Sequence, residues 1–271
     1  MKIGIIGVGI VGSAIRYGFE RLGHDVYVHD TKWETDIKDV LDTQINYVCV
    51  PTDSDKAGGC NITIVEKVID ELIDNNYTGI ICIKSTVIPG TTEQLKSKYD
   101  NINALQECIK LAFVPEFLRE RCAIADFMQN HEVCIVGTES DEIFEVIKET
   151  HGDYPTEFVK CTPTEAEFAK YFHNVYNATQ IIFANSFYEV CSQMGVSYSN
   201  VKNALKNRTN INFQYLECNK NFRGFGGVCL PKDTKAMACL CKKLNLDVSF
   251  FDDLLEENAK YNITVPKGMR L

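Results

Sequence analysis

A chain of 271 residues is long enough for one large domain or two ordinary ones, each with a full core. With 45% apolar and 24% charged residues and a net charge of -9, it reads as a globular protein, with no general nucleic-acid surface and no anionic-membrane surface. No apolar run reaches the ~20 residues of a membrane span, and the regular glycines of MKIGIIGVGIVGSAI make that opening a poor signal peptide.

Up to about residue 160, short β-rich runs alternate with helical stretches. The runs are KIGII (2–6), DVYVH (25–29), NYVCV (46–50), GIICIK (79–84), LAFV (111–114), EVCIVG (132–137) and EFVK (157–160). This alternation predicts an α/β domain, a Rossmann-type doubly wound parallel sheet with helices on both faces. From Thr164 the pattern becomes helical. TEAEFAKYFHNVYNATQIIFANSFYEVCSQMG predicts one long helix, opened by a capping box of Thr164 and Glu167 and stopped by Gly195. Helices over SNVKNALKN and DTKAMACLCKKL follow, so the second domain is expected to be all-α. The expected division is 1–162 and 163–271.

The first strand leads into GVGIVG, which sets Gly7, Gly9 and Gly12 in GxGxxG spacing between a strand and a helix. That context predicts a dinucleotide site. Gly7 makes the tight turn, Gly9 lets a pyrophosphate approach the backbone, and Gly12 allows close helix-strand packing. The helix N-terminus offers N–H groups to the phosphates. Asp30, at the end of the second strand, is placed to bond ribose hydroxyls, which favours NAD over NADP. Three further loops leave strands of the same sheet: VPTD (50–53), KSTVIPGTT (84–92) and VPEFLRE (114–120). They place Thr52, Thr86, Glu116 and Glu120 on one rim, where ligands of open α/β sheets collect.

Twelve cysteines occur without a CxxC pair or zinc spacing, and no metal site is expected. Cys49, Cys82 and Cys134 lie in apolar runs, as small buried thiols of a reducing, cytoplasmic protein do. Cys229 differs: it stands in GFGGVCLPKDTKAM, among glycines and ahead of Lys232 and Asp233. Uncluttered backbone and a nearby lysine suit a reactive thiol.

VPEFLRE (114–120), AEFAKYFHN (166–174) and GFGGVCLPKDT (224–234), with the glycine fingerprint and KSTVIPGTT in order, resemble the signature segments of the nucleotide-sugar dehydrogenases. The resemblance implies NAD-dependent, four-electron oxidation of a sugar primary alcohol to the acid, as from UDP-glucose to UDP-glucuronate. Cys229 would hold the aldehyde as a thiohemiacetal and then a thioester. Lys170 and Asn174, four apart on one helix face, would stabilise an oxyanion. Asp233 would order or activate water, Glu116 would be the general base of hydrolysis, and Thr86 would help place the water.

Cofactor contacts are expected from Gly7, Gly9, Val11, Gly12 and Asp30, from Pro51, Thr52 and Thr86, and from Glu120 and Lys232. Substrate contacts are expected from Glu116, Phe117 and Leu118, from Lys170 and Asn174, and from Phe225, Gly226 and Gly227.

The resemblance is also departed from. Phe213-Gln214-Tyr215 stands where Arg-Ile-Gly is usual, and Arg223 where a small or aromatic residue is common. The chain stops at Leu271, soon after LLEENAKYN and Pro266, so a C-terminal nucleotide-binding domain is expected to be missing. Two other functions stay open: a β-hydroxyacid dehydrogenase performing one oxidation, and a non-catalytic cofactor-binding subunit. The long helix carries Phe168, Phe172, Val175, Ile181, Ile182, Phe183 and Phe187 around more than one face, so a homodimer through it is expected.

Overall fold

The computed structural model describes residues 1–55, 58–102 and 109–263, and Cys108 and Pro266 therefore lie outside the described residues. The chain forms two compact units: Met1–Asp53 with Asn61–Lys170, and Ser54–Cys60 with the chain from Tyr171 on.

The first unit is a seven-stranded sheet. Its strands are β1 (Lys2–Ile6), β2 (Asp25–His29), β3 (Ile45–Val48), β4 (Ile80–Ile83), β5 (Leu111–Phe113), β6 (Val133–Gly137) and β7 (Glu157–Cys161), in the order β2-β1-β3-β4-β5-β6-β7. Five neighbouring pairs are parallel, as the alternation predicts. The β5–β6 pair is antiparallel and is made at a single register point, Phe113 opposite Gly137. The helices α1 (Ile10–Arg21), α2 (Thr63–Asp74), α3 (Thr91–Ile102), α4 (Ala123–Met128) and α5 (Asp141–His151) cover the sheet. Side chains alternate between its faces. Ile3, Ile5, Ile45, Tyr47, Cys82 and Val136 pack with Phe19, Phe127 and Ile147 in one cluster, whereas Ile6, Val48, Ile81, Ile83 and Phe113 pack with Val65, Ile69, Leu72 and Leu95 in the other. With both faces covered, the central strands are apolar throughout, which is why they read as continuous hydrophobic runs. Chain order reverses between β1 and β3, the switch point at which doubly wound sheets hold ligands.

The long helix α6 spans Pro163–Gln193. It opens two residues earlier than the Thr164–Glu167 box expects. Thr162 is the cap, with its Oγ1 accepting from Glu165 N at 3.3 Å while its N–H and hydroxyl donate to Glu165 Oε2, each at 2.8 Å. Pro163 takes the first helical position, where its missing N–H costs nothing. Glu167 is thereby released from the cap and points into the protein. The helix ends as expected at Gly195, whose φ of +69° lets Val196 N donate back to Cys191 O at 2.8 Å. The second unit continues with α7 (Tyr198–Ala204), α8 (Cys229–Lys243) and α9 (Phe250–Ala259), around two small cores.

Candidate active site

The glycine loop has the shape a pyrophosphate needs. Gly7 sits at φ +91° and its N–H donates to His29 O at 2.8 Å, which turns the chain tightly off β1. A Cβ on Gly12 would meet Gly7 O at 2.0 Å, so the helix packs directly on the loop. A Cβ on Gly9 would meet nothing within 4 Å. Gly9 caps α1 without a side-chain hydrogen bond, and Val11 is half-buried in the first turn. The first-turn N–H groups have no acceptor within the helix. Asp30 follows β2 directly and accepts from Val8 N at 2.7 Å and Lys32 N at 2.9 Å. Burial raises its pKa, but these two backbone donors outweigh it and hold the carboxyl below its usual range. Each oxygen keeps a lone pair for a ribose hydroxyl. Beyond β3, Pro51 is exposed and Thr52 buried. The residues present fit a bound NAD.

At the other strand ends, the structure joins two of the expected residues. Lys170 Nζ donates to Glu116 O at 2.5 Å and to Glu116 Oε1 at 3.3 Å. Leu118 N donates to Glu116 Oε2 at 2.7 Å. Lys170 is only 5% exposed and lies 5.6 Å from the centre of the Phe117 ring, so it is no solvated helix lysine. The same loop is pinned further on by Asp126 of α4. This carboxylate accepts from Arg119 N at 2.9 Å, Nε at 3.0 Å and Nη2 at 2.7 Å, and the guanidinium drives its pKa far below the usual range. Glu120 follows in an exposed 3-10 turn, and Thr86 lies half-buried after β4.

In the helical unit, Cys229 is the first residue of α8, four residues before the helix expected over DTKAM. Pro231 is tolerated because first-turn N–H groups lack helical partners. The positive end of a helix favours a thiolate at this position. Of the described cysteines, Cys229 is the one that is exposed. Burial pushes the Cys49 and Cys134 thiols up to about 12 and Cys218 up to about 11, which makes them inert. Asp233, one turn after Cys229, is 1% exposed. Its Oδ2 accepts from Asn174 Nδ2 at 2.5 Å, and its Oδ1 lies 2.7 Å from Lys232 Nζ, an ion pair without hydrogen-bond direction.

The loop leading to Cys229 is held by residues that sequence reasoning missed. Asn258 of α9 accepts from Phe225 N at 2.8 Å and donates to Phe225 O at 2.9 Å. Asn185 Oδ1 accepts from Arg223 Nε at 2.7 Å and Gly224 N at 3.1 Å. Arg223 lies between the rings of Tyr188 and Tyr261, 4.7 and 4.8 Å from their centres, and pairs with Glu189. A Cβ on Gly224 would come within 2.9 Å of Asn258 Oδ1, so that glycine admits α9 rather than a ligand. Phe225 is buried in the core with both backbone groups taken by Asn258, while Gly226 and Gly227 are half-buried and Gly227 sits at φ +78°. Phe213, at the departure from Arg-Ile-Gly, packs against the core of Tyr198 and Leu216. A buried asparagine carries no periodic signal, so Asn185 and Asn258 are invisible to pattern.

The fold is a doubly wound α/β sheet with a glycine turn after β1, followed by a helical unit that carries an exposed cysteine at a helix start. Residues 29–154 match the description "UDP-glucose/GDP-mannose dehydrogenase family, NAD binding domain", and residues 164–260 match the central domain of the same family. The UDP-glucose 6-dehydrogenase of Bacillus subtilis (strain 168) is 28% identical over 97% of this chain and 64% of its own length. The GDP-mannose 6-dehydrogenase of Pseudomonas aeruginosa is 26% identical over 96% of this chain and 68% of its own. A solved UDP-glucose dehydrogenase from the hyperthermophilic archaeon Pyrobaculum islandicum superposes with a TM-score of 0.86 at 25% identity, over 96% of this chain and 68% of that one. The chain belongs to the UDP-glucose/GDP-mannose dehydrogenase family, and its cofactor is NAD. It spans about two thirds of the length of these relatives. No described helix is long and apolar enough to cross a membrane.

Proposed function

We propose that the chain carries the NAD-binding and catalytic parts of a cytoplasmic nucleotide-sugar dehydrogenase that oxidises a sugar primary alcohol to the uronic acid, with UDP-glucose as the first substrate to test. In this reading residues 1–162 hold the cofactor, and 163–271 carry the thiol and the dimer contact. The observation that carries it is Cys229: an exposed thiol at the first turn of α8, one turn ahead of the buried, paired Asp233. Two molecules of NAD, bound in turn, would each take up the two electrons of one oxidation.

The Cys229 sulfur adds to the aldehyde carbon formed in the first oxidation and gives a thiohemiacetal. The second oxidation leaves a thioester, and water attacks its carbonyl carbon. The C–S bond then breaks, returning the thiolate and releasing the acid. Lys170, a fixed cation, and Asn174, an amide donor, stabilise the oxyanion. Glu116 takes the proton of the attacking water, with Thr86 and Asp233 ordering that water. Phe172, Phe183 and Phe187 stand exposed along α6, with the rings of Phe183 and Phe187 4.7 Å apart, and a second copy of the chain is their proposed cover.

The decisive experiment measures NADH formed per sugar consumed. Two per UDP-glucose or GDP-mannose supports the proposal. One per small hydroxyacid, or none with any substrate, favours the alternatives, both of which leave Cys229 without a role.

A further inference from the structure

The first two turns of α6 carry a buried carboxylate that no step above uses. Glu167 is 0% exposed and accepts three hydrogen bonds from the junction of one loop with α3: Gly90 N at 2.6 Å, Thr92 N at 2.8 Å and Thr92 Oγ1 at 2.6 Å. Since α3 begins at Thr91, the Gly90 and Thr92 N–H groups are start-of-helix donors with no partner inside α3. Glu167 therefore caps α3 from a different element, 75 residues away from Thr92 in sequence. A buried acceptor with three donors fixes geometry strongly, because each unmade bond would leave a desolvated group.

The loop held in this way is the one that carries Thr86. Its near end is tied to the end of β3 and the loop just after it, with Ser85 N donating to Val48 O at 3.1 Å and Ser85 Oγ to Val50 O at 2.7 Å. Thr86 lies between that anchor and Glu167. The start of α6 is itself seated hard on the sheet: a Cβ on Gly137 would meet Ala166 Cβ and Pro163 Cα, each at 2.8 Å. One turn after Glu167, Lys170 binds Glu116 O at 2.5 Å. One rigid helix end thus grips both the loop after β4 and the loop after β5.

We propose that Glu167 is a positioning residue, which sets where Thr86 stands for the cofactor and the reacting centre. The inference rests on the reading that Thr86 lines the cofactor. Its test is NAD binding by calorimetry to folded protein without sugar, so failure to oxidise any nucleotide sugar would defeat the proposed function and leave this test intact. Glu167→Gln keeps shape but turns an acceptor into a donor facing an N–H. Thr92→Val removes one hydroxyl donor and keeps the branched shape. Glu167→Gln is expected to raise the NAD Kd about 10-fold and Thr92→Val about 3-fold, with melting temperature recorded beside each.

In a Thr86→Ala background both effects should shrink below about 2-fold, because the residues act through one contact. A purely structural role would lower the melting temperature and leave the Kd of folded protein unchanged. That result, full additivity with Thr86→Ala, or an unchanged Kd in Thr86→Ala alone would each overturn the inference. Should Glu167→Gln not fold, Thr92→Val and its combination with Thr86→Ala decide in the same terms.

Discussion

Gly9 and Gly12 look alike in the motif, yet the structure surrounds them differently, and replacing each by alanine separates them. A methyl on Gly12 would stand 2.0 Å from Gly7 O, where the obstacle is backbone and cannot swing aside. Relieving it means lifting the start of α1 from the loop, a strain of about 1–3 kcal/mol by the usual cost of overpacking. Gly9 has a φ of -77°, which alanine adopts without strain, and its methyl would meet no protein atom within 4 Å. The free protein should therefore tolerate Gly9→Ala, or gain about 0.4–1 kcal/mol from the stiffer unfolded chain. On the proposal that the pyrophosphate lies against Gly9, the same methyl would take its space, and the NAD Kd should rise about 10- to 100-fold, or about 1.4–2.7 kcal/mol. Urea unfolding and NAD calorimetry on both variants give the answer. Gly12→Ala should lose stability and affinity together, whereas Gly9→Ala should lose affinity alone. Normal NAD affinity in Gly9→Ala would refute the assignment of this loop to the phosphates. A stability loss in Gly9→Ala as large as in Gly12→Ala would refute the packing argument.

Cys229→Ser should form acid at well under a hundredth of the wild-type rate, since an alkoxide leaves an ester far less readily than a thiolate leaves a thioester; mass spectrometry after incubation with NAD and sugar should find a trapped adduct, and normal turnover would remove the thiol from the mechanism. Asp30→Ala should weaken NAD and narrow its advantage over NADP, and equal affinities in the unaltered protein by calorimetry would defeat the assignment. His131 is pushed down to about 4, by burial first and by Lys84 second. Both folded and unfolded states are neutral there above pH ~6.5, and as pH falls from that value to about 4 the unfolded state binds the proton first. His131 should therefore account for about 3 kcal/mol of the stability lost over that window, beside the share of the buried His151, and His131→Gln should remove its own share in urea titrations at pH 7 and pH 4. Light scattering at micromolar concentration should give a dimer, and replacing Phe183 and Phe187 by polar residues should give a folded monomer; a monomeric wild type would contradict the reading of that face.

What the sequence determines by itself here is whatever rests on local spacing. Seven strand runs, the GxGxxG turn and Asp30 all depend on contacts within a few tens of residues, and the structure keeps each of them. Cys229 could be singled out because its neighbours differ in type from those of every strand cysteine. Tertiary structure alone decides the partners. Lys170 meets Glu116 across 54 residues, and Asn174 meets Asp233 across 59. Glu167 reads as a capping residue until Thr162 and Glu165 make the cap and leave its carboxylate to the loop at Gly90. The antiparallel step at β6 and the start of α8 at Cys229 are likewise set by what each segment packs on. The reason is physical: backbone propensity and periodicity act over a turn or a strand. A buried polar side chain must take whichever donor or acceptor the folded chain brings within 3 Å, and no local pattern encodes which one that is.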